Sequence, residues 1–384
     1  MEAELRNYLK TPDSEVISFY RWSEAIYHAL QLLSLKKNDE IIIQWYTCVV
    51  VSNAAKQTWS KLIYSDIEES TLGYDLDSLR SSITKKTKVI IVQHTFGKPV
   101  DMRAIMEISK ERWIIVIEDC ALSLGTTIWE QHTWTFGDFS IFSTWRDKVI
   151  SSVTGWFLVV NNPEYKRKAK NIRLLLTQPS RTLTLRNLFY NIIAFIVYKT
   201  YDFIKLGRVI MYVSRKCKLI TDILSKAEKK CDSNKFGTSY PNALAYLWRK
   251  ELKKLDSYNA HRRKISDIYD NAIKTSFWVW VFQKVGNESL NNFRYPFLLI
   301  TPDVQKEFVK YMRNNNILVW LSWSGSNIAP KGIRIKNTWY IPGSCPVAED
   351  IANRIVMLPN HIRITESEAM QISEIVNNFK NTDV

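Results

Sequence analysis

The chain has 384 residues, 46% of them hydrophobic, 24% charged and 12% aromatic, which excludes a disordered, collagenous or disulfide-stapled polypeptide and favours two domains over one. Lys and Arg number 53 against 38 Asp and Glu, a net charge of +15. That excess calls for an anionic partner: nucleic acid, an acidic membrane surface or a phosphorylated substrate.

Met1 to Thr11 has neither a basic stretch nor an apolar run, so no secretory signal is read there and a cytoplasmic protein is expected. Cys48, Cys120, Cys217, Cys231 and Cys345 are scattered without a C-x-x-C pair, which argues against a disulfide framework or a metal centre. From Ser23 to about Val160 short β-branched runs alternate with amphipathic helical stretches. The runs are Glu40 to Ile43, Lys61 to Ser65, Val89 to Val92, Ile114 to Ile117, Ser140 to Ser143 and Phe157 to Val160; helices are expected at Ala25 to Leu33, Leu76 to Ile83 and Met102 to Lys110. This is the pattern of an α/β fold with a mostly parallel sheet covered on both faces. Ligands of such sheets bind beyond the carboxyl ends of the strands, which directs attention to Gln44 to Thr47, His94, Asp119 and the residues after Ser143.

The next segment differs. Glu164 to Lys218 holds thirteen basic residues and two acidic ones, Glu164 and Asp202, and so carries +11 of the net charge. Within it Asn187 to Tyr198, NLFYNIIAFIVY, has no charge, yet twelve helical residues cover only about 18 Å, short of a hydrocarbon core. A basic, aromatic helical hairpin over 181–218 lying on an anionic membrane fits this pattern, which would hold the protein at the inner face of the membrane. Packing of the same apolar faces against the protein itself or a second subunit is the alternative. From Tyr240 onward ordinary composition returns, with helices expected at Asn242 to Leu255, Val304 to Asn314 and Glu366 to Phe379 and a strand at Phe293 to Ile300. The expected domains are 1–165, a helical insertion 166–236, and a smaller α+β unit 237–384. No helix-turn-helix, RRM, KH or zinc pattern supports nucleic acid as the partner.

Asp119 closes an apolar run, IIVIED, and Lys148 follows another, FSTWRDK. A carboxylate and an amine at two strand ends of one sheet form either an ion pair or two walls of a cleft. The ordered set of motifs resembles the DegT/StrS-type sugar aminotransferases, which use pyridoxal phosphate (PLP). The pieces are Arg21-Trp22-Ser23-Glu24-Ala25, Tyr46-Thr47-Cys48, Gln93-His94-Thr95-Phe96-Gly97, Ile117-Glu118-Asp119-Cys120-Ala121, Thr135-Phe136-Gly137-Asp138, Ser143 with Lys148, and Pro342-Gly343-Ser344-Cys345-Pro346.

The resemblance implies the three-layer fold of PLP aminotransferases and gives each matched residue a task. Lys148 becomes the lysine that attaches to PLP and carries the proton, and Asp119 the partner of the pyridine nitrogen. Trp22, Ser23 and Ser143 become the phosphate site at a helix start. Cys48, with Tyr46 and Trp45 nearby as substitutes, takes the place of the ring-stacking aromatic, Leu122 that of a polar neighbour of the phenolic oxygen, and His94 and His361 those of substrate contacts. A homodimer is implied, with a segment near Ser239 reaching the neighbouring cofactor. The implied reaction moves an amino group from an amino acid such as glutamate to a nucleotide-linked keto-sugar, with Arg146, Arg334 and Lys336 as candidate diphosphate partners. Trp22, Leu122 and Trp156 depart from the family pattern and motivate a second reading, a catalytically degenerate PLP-fold protein serving as a membrane-peripheral scaffold.

Overall fold

The computed structural model describes residues 1–200, 206–221, 226–230, 237–274, 277–279, 286–321, 328–329 and 332–380. Its centre is a seven-stranded sheet built from β1 (Glu15–Phe19), β2 (Glu40–Gln44), β3 (Lys61–Ser65), β4 (Thr87–Gln93), β5 (Ile115–Asp119), β6 (Phe139–Ser143) and β7 (Trp156–Val160). The spatial order is β1-β7-β6-β5-β4-β2-β3. β7 alone runs against the others, because it pairs antiparallel with both β1 and β6 while the remaining pairs are parallel.

The three layers follow from the two-residue period of a strand. Ile41, Ile43, Val89, Ile91 and Ile117 face one core, which they share with Ala25, Ile26, Ala29 and Leu30 of helix α1 (Trp22–Leu32). The intervening Ile42, Ile90, Val92 and Val116 face the other, closed by Leu79 and by Met102, Ile105 and Ile108 of the helix Met102–Glu111. A third core belongs to the smaller C-terminal unit, where the strands Tyr295–Leu299 and Ile355–Leu358 are covered by helices Pro302–Asn314 and Glu366–Asn377.

The expected boundary at 237 does not mark a break in packing. Leu244, Trp248 and Leu255 join the large core, and the single helix expected over Asn242 to Leu255 is the first of two, Asn242–Leu252 and Leu255–Ala272. The second helix escaped the sequence because its inner face is half polar: Asn259, Arg262 and Ser266 are buried there beside Leu255, Ile265 and Tyr269.

The insertion forms helix α2 (Arg181–Lys199), with Ser180 Oγ accepting the Leu183 amide at 3.2 Å as its N-cap, and helix α3 (Leu206–Lys216). The hairpin is neither wholly packed nor wholly free. Asn187 is buried and donates to the Tyr20 hydroxyl at 3.1 Å, while Thr221 donates to Asn187 Oδ1 at 3.2 Å. On the outside Leu185, Phe189, Ile192, Phe195 and Ile196 are exposed. No described helix is long and apolar enough to cross a membrane.

Candidate active site

The six strands that run in one direction end on one edge of the sheet, at Phe19, Gln44, Ser65, Gln93, Asp119 and Ser143. Register across β1, β7 and β6 sets Phe19, Trp156 and Ser143 side by side. Phe19 leads into Tyr20, Arg21 and the start of α1, whose first-turn amides at Trp22 and Ser23 have no intrahelical acceptor by position. The Trp22 side chain lies outside the described residues. Ser23 is buried, and Ser143 Oγ accepts the Trp145 amide at 3.3 Å.

Lys148 sits in the loop between β6 and β7, which closes on itself. Thr144 and Ser152 hydroxyls lie 2.7 Å apart, the Thr144 amide donates to Gly155 O at 3.0 Å, and the Thr154 hydroxyl donates to Tyr20 O at 2.6 Å, tying the loop to the α1 entry. Gly155 has φ 126°, and a Cβ there would meet Tyr240 at 2.6 Å and Thr144 Oγ1 at 2.7 Å, so only glycine suits the position. Lys148 Nζ stands 6.0 Å from the centroid of the buried Trp156 ring.

Asp119 is 6% exposed, and its Oδ1 accepts the Ala121 amide at 3.0 Å. Burial raises its pKa, opposed by that amide and by the positive charge of Lys148. Cys48 shares the neighbourhood: burial pushes its thiol up to about 12, and the charges of Lys148, Asp119 and Asp147 all reach it. Lys148, Asp119 and Cys48 therefore lie within electrostatic reach of one another. Leu122 is buried, with its carbonyl accepting Asn291 Nδ2 at 2.8 Å. Asn291 also holds Leu124 O at 3.1 Å and accepts the Phe293 amide at 3.0 Å, so it clamps the segment after Asp119. A lone asparagine in a linker gave no sequence signal.

Lys148 lines a cavity of about 500 Å³ together with Arg146, Arg262, Arg294, Arg363 and His361. Asp119 is not on that wall. Arg262 donates to Val149 O at 2.7 Å and to Asn259 Oδ1 at 3.0 Å, and Arg294 donates to Asp147 O at 3.3 Å while lying over Trp320 at 3.9 Å. Burial lowers both guanidinium pKa values to about 10, leaving them charged near neutrality. His361 is held below its ordinary pKa, first by the surrounding protein and then by Arg262, Arg363 and Arg294, which keeps it neutral at pH 7.

Several expectations need correction. His94 has no exposed surface, and its Nε2 lies 3.2 Å from both Glu118 Oε2 and Thr133 O, so it braces Glu118 instead of meeting substrate. Tyr46 is fully buried, edge-on to Phe96, and does not line the cavity. Trp45 stacks on Tyr340 at 3.4 Å and is equally withdrawn. Arg334 and Lys336 are exposed around the turn Ile335–Thr338, away from the cavity wall, whereas Arg146 does line it. The expectation for the segment near Ser239 is not among these: within this chain the segment bridges to Phe19 beside the α1 entry.

The residues present fit PLP. At one sheet edge a buried carboxylate with one oxygen fixed could accept from a protonated ring nitrogen, an amine whose charge it feels could attack the aldehyde, and first-turn amides of a helix could donate to the phosphate.

Comparison with known proteins agrees. The sequence model of the DegT/DnrJ/EryC1/StrS aminotransferase family matches residues 1–187 and 214–377. GDP-perosamine synthase of Escherichia coli O157:H7 is 24% identical over 365 residues, covering 92% of this chain and 83% of that enzyme. A UDP-N-acetyl-3-dehydro-α-D-glucosamine 3-aminotransferase of Acidithiobacillus ferrooxidans is 29% identical over 39% of this chain and 41% of its own length. Among solved structures, Spr1654 of Streptococcus pneumoniae in its PLP form superposes with a TM-score of 0.75 at 19% identity, covering 98% of this chain and 89% of that one. Sugar aminotransferase CalS13 of Micromonospora echinospora gives 0.72 at 18% identity over 98% and 90%. With its family matched on both sides of the hairpin and its lysine, aspartate and helix start gathered at one sheet edge, the chain belongs to the DegT/DnrJ/EryC1/StrS family of PLP-dependent aminotransferases.

Proposed function

We propose that this protein transfers the amino group of an amino acid, glutamate, to a keto-sugar carried on a nucleotide diphosphate, in the service of polysaccharide or other glycan synthesis. The observation that carries the proposal is the cavity beside Lys148, where four arginines and a neutral histidine surround one amine. Two negative charges of a diphosphate need such partners, and guanidinium groups meet phosphate oxygens in pairs. The amino donor's carboxylate needs a cation as well. Relatives named for GDP-linked and UDP-linked sugars support this substrate class.

PLP, when bound, supplies an electron sink for the charge left at a carbon that loses its proton. Asp119 would hold the ring nitrogen, Lys148 Nζ would carry the proton at the substrate carbon, and Ser143 with the amides of Trp22 and Ser23 would bind the phosphate. Trp156 and Cys48 exclude water. A homodimer and a peripheral position at a membrane belong to the same reading.

The test is purification with PLP, followed by amino transfer from glutamate to a panel of GDP-, UDP- and dTDP-linked keto-sugars. We expect visible absorbance that borohydride bleaches, absent from Lys148→Ala, and a fall in turnover of roughly 10²- to 10⁴-fold or more in that variant. Wild-type protein that takes up no PLP, or takes it up and aminates none of the panel, would return the second reading, a PLP-fold protein without catalysis. Sedimentation of the holoenzyme checks the dimer.

A further inference from the structure

Helix α2 has two working faces. At about 100° per residue, Leu185, Phe189, Ile192 and Ile196 fall within roughly 60° of one another, while Asn187, Tyr190, Asn191 and Tyr198 fall on the opposite side. The first group is exposed: Leu185 and Phe189 are each 52% accessible, Ile192 56% and Ile196 41%. The second group lies on the cavity side, where Asn187 is buried and Tyr198 remains 57% accessible. Asn191 is part of its wall, the Tyr190 ring lies 3.7 Å beneath the Arg146 guanidinium, and the Tyr198 ring lies 4.3 Å from that of Arg363. Arg146 is also tied to Thr221, past the second helix, through the Thr221 carbonyl at 2.8 Å. Helix α3 carries a matching exposed stripe of Leu206, Val209 and Val213.

Charge decides what covers this face. Asp202 is the sole acid between Tyr165 and Thr221 in the sequence, against thirteen lysines and arginines. Arg181, Lys199, Arg208, Arg215, Lys216 and Lys218 are exposed on or beside the two helices. A second copy would bring the same cations against themselves. An anionic bilayer offers charge of the opposite sign and an apolar layer for the stripe. Residues 188–213 also lie between the two segments that the family's sequence model matches.

We infer that the outer stripe of α2 and α3 docks on an anionic lipid bilayer, and that docking is coupled to anion binding in the cavity, because α2 holds Arg146 and Arg363 with its inner face. The coupling rests on the reading of the cavity as the diphosphate site; the docking does not. Burying the stripe fixes α2, and with it the two guanidinium groups, so lipid and diphosphate each favour the other's binding.

Full-length holoprotein is floated with phosphatidylcholine vesicles, with and without phosphatidylglycerol, beside the double variant Phe189→Ser, Ile192→Ser. Wild type is expected to float with the anionic vesicles alone, more weakly at high salt. The variant should stay in solution and keep its cofactor absorbance. Wild type left in solution overturns the docking, as does a variant whose defect is a lost dimer, since that outcome makes a second copy the occupant. Titration with inorganic pyrophosphate should show binding tightened about fivefold or more by anionic vesicles. Unchanged affinity overturns the coupling. Flotation without any pyrophosphate binding overturns the coupling and the reading of the cavity together, and leaves the docking standing.

Discussion

The edge of the sheet and the hairpin solve opposite problems with similar residues. Beside Lys148 two cations are tethered and largely enclosed: Arg262 is buried and Arg294 half-buried, and each holds a backbone carbonyl. On the hairpin, cations are many and exposed, with apolar side chains facing outward between them. A buried guanidinium with a fixed direction discriminates by geometry. An exposed crowd of them attracts any extended anionic surface. Arg146 touches both systems, because its guanidinium lines the cavity while Thr221 and Tyr190 of the insertion hold it.

Three substitutions sharpen this contrast. Arg294→Gln removes a tethered cation and should raise KM for a diphosphate sugar about 10- to 100-fold with vesicle flotation unchanged, the cost of a charge-assisted hydrogen bond. A variant that binds substrate normally but no longer floats would reverse the assignment of the two regions. Gly155→Ala places a Cβ at φ 126° against Tyr240 and Thr144, and should cost about 1–3 kcal/mol in chemical denaturation, with loss of the loop that carries Lys148. Equal stability would show that this loop tolerates rearrangement.

The third concerns Glu24, buried in the first turn of α1, where it accepts the Arg21 amide at 3.0 Å and the Thr238 amide at 3.1 Å. Burial raises its pKa from 4.5 to about 7 despite these bonds. A carboxyl raised in this way favours the folded state below about 4.5, and that contribution is lost as pH rises through about 7. Wild-type stability should fall between about pH 4.5 and 7 and level off above that, and Glu24→Gln should flatten this slope, by up to about 3 kcal/mol across the window. Parallel wild-type and variant curves would show that Glu24 is ionised throughout. The hairpin, with its cations exposed, should contribute little to this pH dependence.

Legibility varied with the kind of face each element presents. The strands β2, β4 and β5 were plain in the sequence because both of their faces are buried, leaving β-branched runs that almost nothing else produces. Helix Val49–Lys56 was hidden by the opposite effect: VVVSNAAK is strand-like in composition, and all but its last residue is buried. Asp119 and Lys148 were readable as strand-end residues. Arg262, Arg294 and Arg363 were not, since each comes from a different segment and each looks like an ordinary surface cation until its neighbours are known. His94 was readable as a strand-end residue whose direction no pattern reveals; it turns toward Glu118.

By itself the sequence determined the alternation of strands and helices, the order of the motifs and the concentration of positive charge in one segment, because periodicity and composition are local properties. Tertiary structure alone decided which arginines enclose Lys148, that His94 is sealed away, and that one helix faces the cavity on one side and solvent on the other. Those facts depend on distances between residues far apart in the chain, and such distances are set by packing.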